Sequence, residues 1–412
     1  MGKKGHYILA GWLIDGSGGA IQKKMVLKIV DGFIADVSRY NQSDCPAASM
    51  TTDLSHCCIL PPLIDSHAHL CMSATLDVKR RQEQLTAEYE DLKGTISTHL
   101  SHHLSHGVLG VRDGGDRLCS VIRYHRELDE MDALPVMVKS PGTAWHRKGR
   151  YGGLIGRAVE ASKPLNEAVA EDTTEVDHIK VINSGVNSLK TYGRQTPPQF
   201  TQRELADTVV YAENQSLKIM VHANGVLPVR VAIEAGCHSI DHGFFMGEEN
   251  LEELAAKQIC WVPTLYAMKG CLDSVELGMK DADRDVVART LEHQLQQLAY
   301  ARECGVRVAV GTDAGSIGVL HGESLVGELK LFIRAGYSLP EAIQCATQHG
   351  ASLLGVESEY GLITRGRPAH FLVARGTPAQ LPRKLGFLEA IYLNGEPSED
   401  YRDLLRRARV QR

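Results

Sequence analysis

Two histidines separated by a single residue are the first feature of the sequence that could do chemistry. His67 and His69 follow the apolar run from Ile59 to Ile64, which has the composition of a buried strand. Alternate residues of a strand point to the same side, so both imidazoles should face the same way. Imidazole nitrogens are common ligands of divalent metal ions, and two of them can grip one ion. The pair therefore predicts a metal site at the end of this strand.

Four more polar side chains follow short apolar runs further along the chain, each within a residue or two of a predicted strand end. The carboxyl ends of parallel strands meet at one face, so these side chains should converge with the two histidines. Zinc is the default ion for nitrogen and oxygen ligands that carry out hydrolysis. The four residues are Lys180, His222, His242 and Asp313.

The lysine of this set is the most informative member. Lys180 lies in the run His178–Ile182, and its apolar neighbours favour burial. A buried lysine shifts towards its neutral amine, which can react with carbon dioxide. The resulting carbamate is an anion with two oxygens, and it can bridge two metal ions where an ammonium group would be repelled. The alternative is an ordinary lysine whose head reaches the rim of the fold.

The aspartate suits a second role beside metal binding. A carboxylate next to a metal-bridging hydroxide can accept its proton and pass it to a leaving nitrogen. Asp313, in the segment Gly311–Gly315, has the position for this role. The predicted reaction is hydrolysis at an amide-like carbon.

The elements that must position these residues alternate along the middle of the chain. Eight short apolar runs, the last from Arg307 to Val310, are separated by helix-like segments such as 201–214 and 286–304. Strands that alternate with helices favour parallel pairing, and eight such units predict a (β/α)₈ TIM barrel. Both chain ends look β-rich, with hairpin signals at Asp31-Gly32 and Asn394-Gly395. We therefore predict an α/β protein with three segments: 1–58 as the first part of a small β-sandwich domain, 59–364 as the barrel, and 365–412 as the second part of the sandwich.

Composition supports a large core and disfavours several classes of partner. The chain has 412 residues, of which 43% are hydrophobic and 23% charged, with a net charge of -5. It has no long basic run and no apolar run of about 18 residues, which disfavours nucleic-acid binding and membrane spans. Ten scattered cysteines without a CxxC pair favour reduced thiols in the cytoplasm. A small-molecule substrate is the expected partner, and assembly as a homo-oligomer is left open.

The strand-end residues together resemble the amidohydrolase superfamily. The segments Pro62–His69 and Gly311–Gly315, with Ile179–Gly185 at the fourth strand, are most similar to the imidazolonepropionase-like and metal-dependent prolidase group, the Xaa-Pro and Xaa-Arg dipeptidases. The resemblance implies a metal-dependent hydrolase that cuts an amide-type C–N bond in a dipeptide, an N-acyl amino acid or a cyclic amide. It also implies a ligand set. His67, His69 and Asp313 would hold the first of two Zn²⁺ ions, a carbamate on Lys180 would bridge, and His222 and His242 would hold the second.

The loop after the third strand departs from the group's pattern. The group has a Gly-Gly-His-Gly stretch there whose histidine polarises the substrate carbonyl, and alignment by the glycines puts Tyr151 at that position. His146 is the nearest imidazole, so the two residues are alternative catalytic donors. The basic side chains of Arg147 and Arg150 predict a carboxylate on the substrate, against the alternative of a solvated basic loop.

Two other side chains are candidates for contact with the substrate. Tyr266 follows the seventh predicted strand. His321 follows the eighth and resembles a supporting histidine of the family, with an ordinary loop histidine as the alternative.

Three further interpretations compete with these assignments. A mononuclear deaminase acting on a nitrogen heterocycle is the main alternative function, but such enzymes generally lack the strand-four lysine and carry a glutamate near the histidine of strand five, where Ala223-Asn224-Gly225 stands here. A non-catalytic scaffold should have lost ligands that this chain retains. The histidines from 99 to 106 have near-helical spacing and are interpreted as the end of a helix rather than as a metal site.

Overall fold

The first part of the chain forms a β-meander followed by a return strand. A computed structural model describes residues 5–41, 47–128 and 134–410. Residues 1–4, 42–46 and 411–412 of the predicted end segments lie outside this range. The hairpin predicted at Asp31-Gly32 is confirmed: the two residues have φ of 52° and 81°, as a tight two-residue turn requires, and the flanking strands pair antiparallel. The strands are β1 (His6–Leu13), β2 (Gln22–Val30), β3 (Phe33–Arg39) and β4 (Thr51–Leu60).

The middle of the chain is an α/β structure with parallel sheets, as the sequence predicts. One sheet has the order β5-β6-β7 and the other the order β13-β12-β11-β10-β8-β9, and every pairing within them is parallel. Strands β5 and β6 are buried at every position, which is typical of parallel sheets covered on both faces. The strands are β5 (Leu63–Ala68), β6 (Val108–Asp113), β7 (Met137–Lys139), β8 (Ala144–Arg147), β9 (Gly156–Val159), β10 (Ile179–Ile182), β11 (Ile219–Ala223), β12 (Ser239–His242) and β13 (Cys260–Val262).

Helices separate most of these strands, and several begin and end where the sequence indicates. Thr201 caps α5 in a reciprocal capping box with Glu204, and Gly305, with φ of 75°, ends α9. Every helix in the described part of the chain is too short or too polar to span a bilayer. The helices are α1 (Val78–Thr86), α2 (Tyr89–Ser105), α3 (Ser120–Glu127), α4 (Leu165–Ala170), α5 (Gln202–Asn214), α6 (Val226–Glu234), α7 (Glu248–Lys257), α8 (Leu265–Glu276), α9 (Arg284–Cys304), α10 (Glu323–Arg334), α11 (Leu339–Ala346), α12 (Gln348–Leu354) and α13 (Glu399–Val410), with short 3₁₀ turns at Ala48–Met50, Pro378–Gln380 and Arg383–Gly386.

The eighth predicted strand, 307–310, is not a regular strand but an extended segment between the two sheets. Val308 bridges Trp261 of β13, and Ala314 bridges Ala68 of β5. The backbone N–H of Ser66 donates to the carbonyl of Val310 at 2.9 Å, which ties this segment to β5. At the other side, β7 pairs with β6 while β8 pairs with β10, so residues 137–147 connect the same two sheets.

The two ends of the chain meet in one seven-stranded sheet. Its order is β16-β15-β14-β4-β1-β2-β3, with β14 (Phe371–Arg375), β15 (Ala390–Leu393) and β16 (Glu396–Pro397) supplied by the C-terminal part. Asn394 and Gly395, with φ of 50° and 82°, form the second predicted turn. A buried apolar cluster separate from the central core lies on this sheet and draws on both ends of the chain; it includes Ile8, Leu27, Phe371, Val373 and Tyr392.

Candidate metal centre and active site

The predicted metal ligands come together in one cavity at the carboxyl ends of the parallel strands. The cavity has a volume of about 290 Å³. His67 lies near the end of β5, His222 near the end of β11, and His242 is the last residue of β12. All six side chains predicted from the sequence line it: His67, His69, Lys180, His222, His242 and Asp313.

The tightest group in this cavity is formed by the two histidines of the first strand and the aspartate. The Nε2 atoms of His67 and His69 each lie 3.5 Å from Oδ1 of Asp313. One possible ligand atom from each of the three residues lies within 4.8 Å of the other two. In the described residues, no other group of three or more His, Cys, Asp or Glu side chains is this close together. Backbone bonds hold the arrangement, because the Asp313 N–H donates to the His67 carbonyl at 2.8 Å.

Each of the four histidines has one ring nitrogen beside a neighbouring polar group. His67 Nδ1 lies 2.6 Å from Asp241 Oδ2, and its Nε2 is buried without a hydrogen-bond partner. His242 Nδ1 lies 2.8 Å from Thr264 Oγ1. His69 Nδ1 faces the Gly115 carbonyl at 3.4 Å, and His222 Nε2 faces the Gly185 carbonyl at 3.2 Å. Metal-binding histidines are oriented in this way, so the residues fit divalent metal ions.

Burial keeps these imidazoles neutral, which is the form that binds metal. It lowers the pKa of His69 to about 3 and that of His222 to about 4. The pKa values of His67 and His242 also fall well below the ordinary range, chiefly through burial. The His222 and His242 ring centres are 4.5 Å apart, so these two lie side by side at the second part of the cavity.

The ring of His69 fits because the neighbouring backbone lacks a side chain. A Cβ atom at Gly114 would lie only 2.4 Å from Cε1 of His69. Any larger residue there would displace the imidazole from Asp313. Gly114 directly follows β6, so the second strand also helps to shape the site.

Asp241 is a supporting residue that the sequence reasoning did not select. It is fully buried and accepts hydrogen bonds from His67 Nδ1 and from Arg112 Nη2, the latter at 2.9 and 3.2 Å to its two oxygens. Burial alone would raise the pKa of Asp241, but Arg112 and Lys180 hold it well below its usual range. The sequence held one sign of this role, since an aspartate within a short buried strand, Ser239–His242, needs a partner for its charge.

Arg112 is the buried counter-charge of this carboxylate. It also donates from Nε to the Ser66 carbonyl at 2.7 Å and from Nη1 to Ser239 Oγ at 2.9 Å. The arginine of β6 therefore ties together β5 and β12, two strands that carry metal-ligand candidates.

We predict that Arg112→Met destabilises the protein strongly. The variant leaves the Asp241 carboxylate buried without its main partner, and such a loss typically costs about 3–5 kcal/mol in the free energy of unfolding. Denaturant titration followed by circular dichroism measures the change. Arg334→Met is the matched control, because the Arg334–Glu292 pair is exposed and should contribute little. Equal midpoints for the two variants would contradict the structural role of Arg112.

Lys180 lines the same cavity as the four histidines. Its side chain is 1% exposed, and Nζ lies 3.4 Å from Asp241 Oδ2. Burial lowers its pKa to about 8 against the opposing effect of Asp241. The buried amine therefore releases its proton more readily than the amine of a solvated lysine.

Asp313 is held in an uncommon backbone conformation with φ of 61°, which non-glycine residues adopt rarely and often at functional sites. Ser316 Oγ donates to its Oδ2 at 2.9 Å, while Oδ1 faces the two imidazoles. Burial raises the pKa of this carboxyl to about 7. A group with that pKa can both take and release a proton at neutral pH.

The comparison with known proteins places this constellation in a family. The model of the amidohydrolase family matches residues 58–399, which is most of the chain. The chain belongs to the amidohydrolase family. The predicted superfamily is confirmed. Amidohydrolases generally bind divalent metal ions, and the His67, His69 and Asp313 group provides a place for one here.

Individual relatives agree with this placement. An uncharacterised protein of Mycobacterium tuberculosis is 27% identical over 376 residues, which are 90% of each chain. The solved structure of a Xaa-Pro dipeptidase with bound methionine superposes with a TM-score of 0.81 at 25% identity, over 96% of this chain and 100% of that one. Ochratoxinase of Aspergillus niger is 27% identical over 184 residues, 44% of this chain and 37% of its own. Its structure shares the fold with a TM-score of 0.77, at 21% identity over 96% of this chain and 95% of that chain.

Tyr151 and His146, the two candidates for the catalytic donor in this amidohydrolase, lie in different places. Tyr151 lines the cavity, with its ring centre 5.7 Å from that of His222. Although 36% of its side chain is exposed, removal of the phenol from bulk water raises its pKa to about 12, so it keeps its proton. His146 is buried beneath Gly152 and turns Nδ1 to the Arg147 carbonyl at 3.0 Å, and it does not line the cavity.

The two loop arginines predicted to bind a substrate carboxylate point elsewhere. Arg147 forms an ion pair with Glu204, donates to the Glu160 carbonyl at 2.7 Å and stacks over Phe200. Arg150 donates to the Pro197 carbonyl at 2.9 Å. Neither lines the cavity, so the structure does not bring these two arginines to the other predicted site residues. The physical reason is that other acceptors hold both guanidinium groups: Glu204 and the Glu160 carbonyl hold Arg147, and the Pro197 carbonyl holds Arg150.

Tyr266 and His321 lie behind the cavity rather than in its wall. Tyr266 packs against Gly327, and its N–H donates to Glu328 at 2.6 Å. His321 Nε2 lies 3.1 Å from the His69 carbonyl, and its ring stacks on His99 with centres 3.7 Å apart. In this structure Tyr266 packs within the fold, and His321 contacts the backbone of His69, a position that agrees with a supporting histidine.

The histidines from 99 to 106 belong to the end of α2, as predicted. The helix ends at Ser105, directly before β6, and His106 is its C-cap. His99 Nδ1 lies 2.7 Å from the Leu70 carbonyl, so this part of the helix supports the chain just beyond His69.

Proposed function

We propose that this amidohydrolase is a metal-dependent hydrolase that cleaves an amide-type C–N bond in a small molecule, such as a dipeptide, an N-acyl amino acid or a cyclic amide. The observation that carries the proposal is the convergence of His67 Nε2, His69 Nε2 and Asp313 Oδ1 on one point of a cavity sized for a small ligand. The names of two similar proteins, a Xaa-Pro dipeptidase and an ochratoxinase, support an amide-type substrate.

The proposed cofactors are two divalent ions, with zinc as the default. His67, His69 and Asp313 would hold one, and His222 and His242 the other, with a carbamate on Lys180 as a ligand shared by both. The Nε2 atom of His67, which is buried and has no hydrogen-bond partner, supports this set of metal ligands. When bound, such ions polarise the scissile carbonyl and lower the pKa of water to about 7, which supplies a nucleophile at neutral pH.

Asp313 is proposed to move the proton of the reaction. Its Oδ1 faces the imidazoles, so Oδ2, beside Ser316, is the oxygen that takes the proton from the attacking water. The carboxyl then returns this proton to the departing nitrogen, which leaves as a neutral amine. Burial of the site keeps bulk water from competing for that transfer.

Tyr151 is proposed as the donor to the substrate carbonyl, in preference to His146. Its phenol keeps its proton and stands in the cavity wall beside His222. A hydroxyl at this place can donate to the oxygen as negative charge builds up on it during attack.

We predict that Tyr151→Phe lowers kcat by about 10²–10³-fold, the usual effect of removing one donor to a developing oxyanion. Steady-state kinetics on the first substrate found in the screen below measures it. His146→Gln is the comparison variant and should retain most of the rate. The reverse result, a slow His146→Gln and a normal Tyr151→Phe, would assign the donor role to the histidine.

The proposed function is tested by metal analysis and a substrate screen on zinc-loaded protein. N-acyl amino acids, dipeptides and cyclic ureides are offered, and release of acid or amine is measured separately from release of ammonia. Two ions per chain and hydrolysis of an amide support the proposal. His67→Ala and His69→Ala should lose metal, whereas His125→Ala, an exposed histidine of α3, should not. Ammonia release from a heterocycle would instead establish a deaminase, and metal-free, inactive protein would indicate a scaffold.

The architecture proposed around this site is a closed (β/α)₈ barrel with a β-sandwich built from both chain ends, divided as 1–58, 59–364 and 365–412. Segment 307–314 would supply the eighth strand between β13 and β5, and residues 137–147 the third. The shared apolar cluster of the terminal sheet supports the split domain. A cytoplasmic location and homo-oligomeric assembly stay predictions.

A further inference from the structure

One cationic side chain in the cavity wall is not among the proposed metal ligands, although the charge of Asp313 acts on it. Arg81 lies on α1 and lines the same cavity as His67, His69 and Asp313. It is partly buried. The other charged side chains of this wall are Lys180, which contacts Asp241, and Asp313. Arg81 is therefore the cation that remains available to a ligand.

The guanidinium of Arg81 is fixed in place by one of its nitrogens. Nη1 donates to the carbonyls of Ser73 and Gly315, each at 3.0 Å. These carbonyls follow His69 and Asp313 in the sequence, so Arg81 is anchored to the two loops that carry metal-ligand candidates. The anchoring lowers the conformational entropy that the side chain would lose on binding a ligand.

The remaining donors of Arg81 have no acceptor. Arginine presents five N–H donors in a planar fork, and those on Nε and Nη2 have no hydrogen-bond partner among the described residues. Within the described part of the chain, no carboxylate forms an ion pair with Arg81. Arg112, Arg147 and Arg302, by contrast, each pair with an acidic side chain. A planar fork with free donors is the geometry that binds a carboxylate through two parallel hydrogen bonds.

Much of the rest of the cavity wall is apolar. The apolar side chains contribute hydrophobic surface on which a bulky group can pack, and they exclude water that would weaken an ion pair. They are Met72, Leu85, Leu154, Ile155, Met268 and Ile317.

We propose that Arg81 binds the carboxylate of the substrate and so determines its class: an amide that carries a free carboxylate and a bulky apolar group, as in an N-acyl amino acid. The inference rests on the proposed function, since it assigns the substrate of the same site. It replaces Arg147 and Arg150, whose guanidinium groups face away, as the acid-binding residues.

The test uses two compounds that share the scissile amide, N-benzoyl-L-leucine, which carries a carboxylate, and N-benzoyl-L-leucinol, which carries a neutral hydroxymethyl group in its place, on zinc-loaded protein. Both kcat/KM and the calorimetric Kd are measured. The acid should be preferred by at least about 10-fold in the wild-type protein, as expected for a charge-assisted pair. In Arg81→Gln, the kcat/KM and Kd values of the two compounds should agree within about 2-fold, because the charge-assisted hydrogen bonds to the carboxylate are lost. Arg81→Lys should retain part of the preference.

Arg80→Gln is the matched control, because Arg80 is the adjacent, exposed arginine of the same helix. It changes the net charge equally and should retain the full preference. If Arg81→Gln weakens both compounds equally, the residue only holds the loops together and the proposal is wrong. Equal use or binding of both compounds by wild-type protein, or no binding of the acid, also overturns it. Hydrolysis of neutral amides in the screen, without a preference for acids, would leave the proposed function standing and reject Arg81 alone.

Discussion

Asp313→Asn is expected to bind substrate nearly as well as the wild-type protein and to turn it over about 10²–10⁴ times more slowly, the usual effect of losing a general acid–base group. An amide oxygen at this position can still face His67 and His69, but it cannot accept the proton of the attacking water. The loss should therefore appear in kcat, with little change in substrate affinity.

The measurement combines steady-state kinetics with metal analysis, so that loss of the proton acceptor is distinguished from loss of an ion. Asp207→Asn, an exposed aspartate of α5, is the control for the charge change and should have wild-type kinetics. Ser316→Ala removes only the hydrogen bond to Asp313 Oδ2 and should slow the reaction far less. Unimpaired turnover by Asp313→Asn, with metal retained, would show that another group moves the proton.

Lys180→Ala is expected to abolish most activity and to reduce the metal content from two ions to one or fewer. The side chain is buried and lines the cavity together with the four histidines, and its removal would leave no carbamate to be shared by two ions. Short carboxylic acids such as acetate or propionate should enter the space that the side chain vacates and partly restore both metal content and rate.

The carbamate has its own spectroscopic test. Wild-type protein equilibrated with ¹³C-bicarbonate should give a carbamate carbon signal that Lys180→Ala lacks. Lys218→Ala is the matched control, since this lysine precedes the neighbouring strand and donates to the carbonyls of Ser352 and Leu353 away from the cavity. It should keep metal, signal and activity. An active wild-type protein with one ion or fewer, and without the signal, would contradict the role of Lys180.

The sequence by itself determined the strand-borne part of the site. His67 lies on the buried strand β5 and His69 directly follows it, with one residue between them, so the twofold periodicity of a strand predicted that both side chains point to one face. Lys180, His222 and His242 are found for the same reason, since each lies at or near the end of a buried parallel strand. The two tight turns at Asp31-Gly32 and Asn394-Gly395 are equally local, because positive φ at both positions is a property of those residue types.

Only the tertiary structure decided which loop and supporting side chains reach the cavity. A loop has no fixed periodicity, so the basic run after β8 could not reveal that Arg147 turns to Glu204 or that His146 lies under Gly152. Asp241 is recognised as the partner of His67 only when the fold brings together two residues 174 positions apart in the chain. Arg81 was missed for the same reason: the carbonyl of Gly315 that fixes its guanidinium lies 234 positions away, and the direction of a long, flexible side chain is set by such distant contacts rather than by its own neighbours.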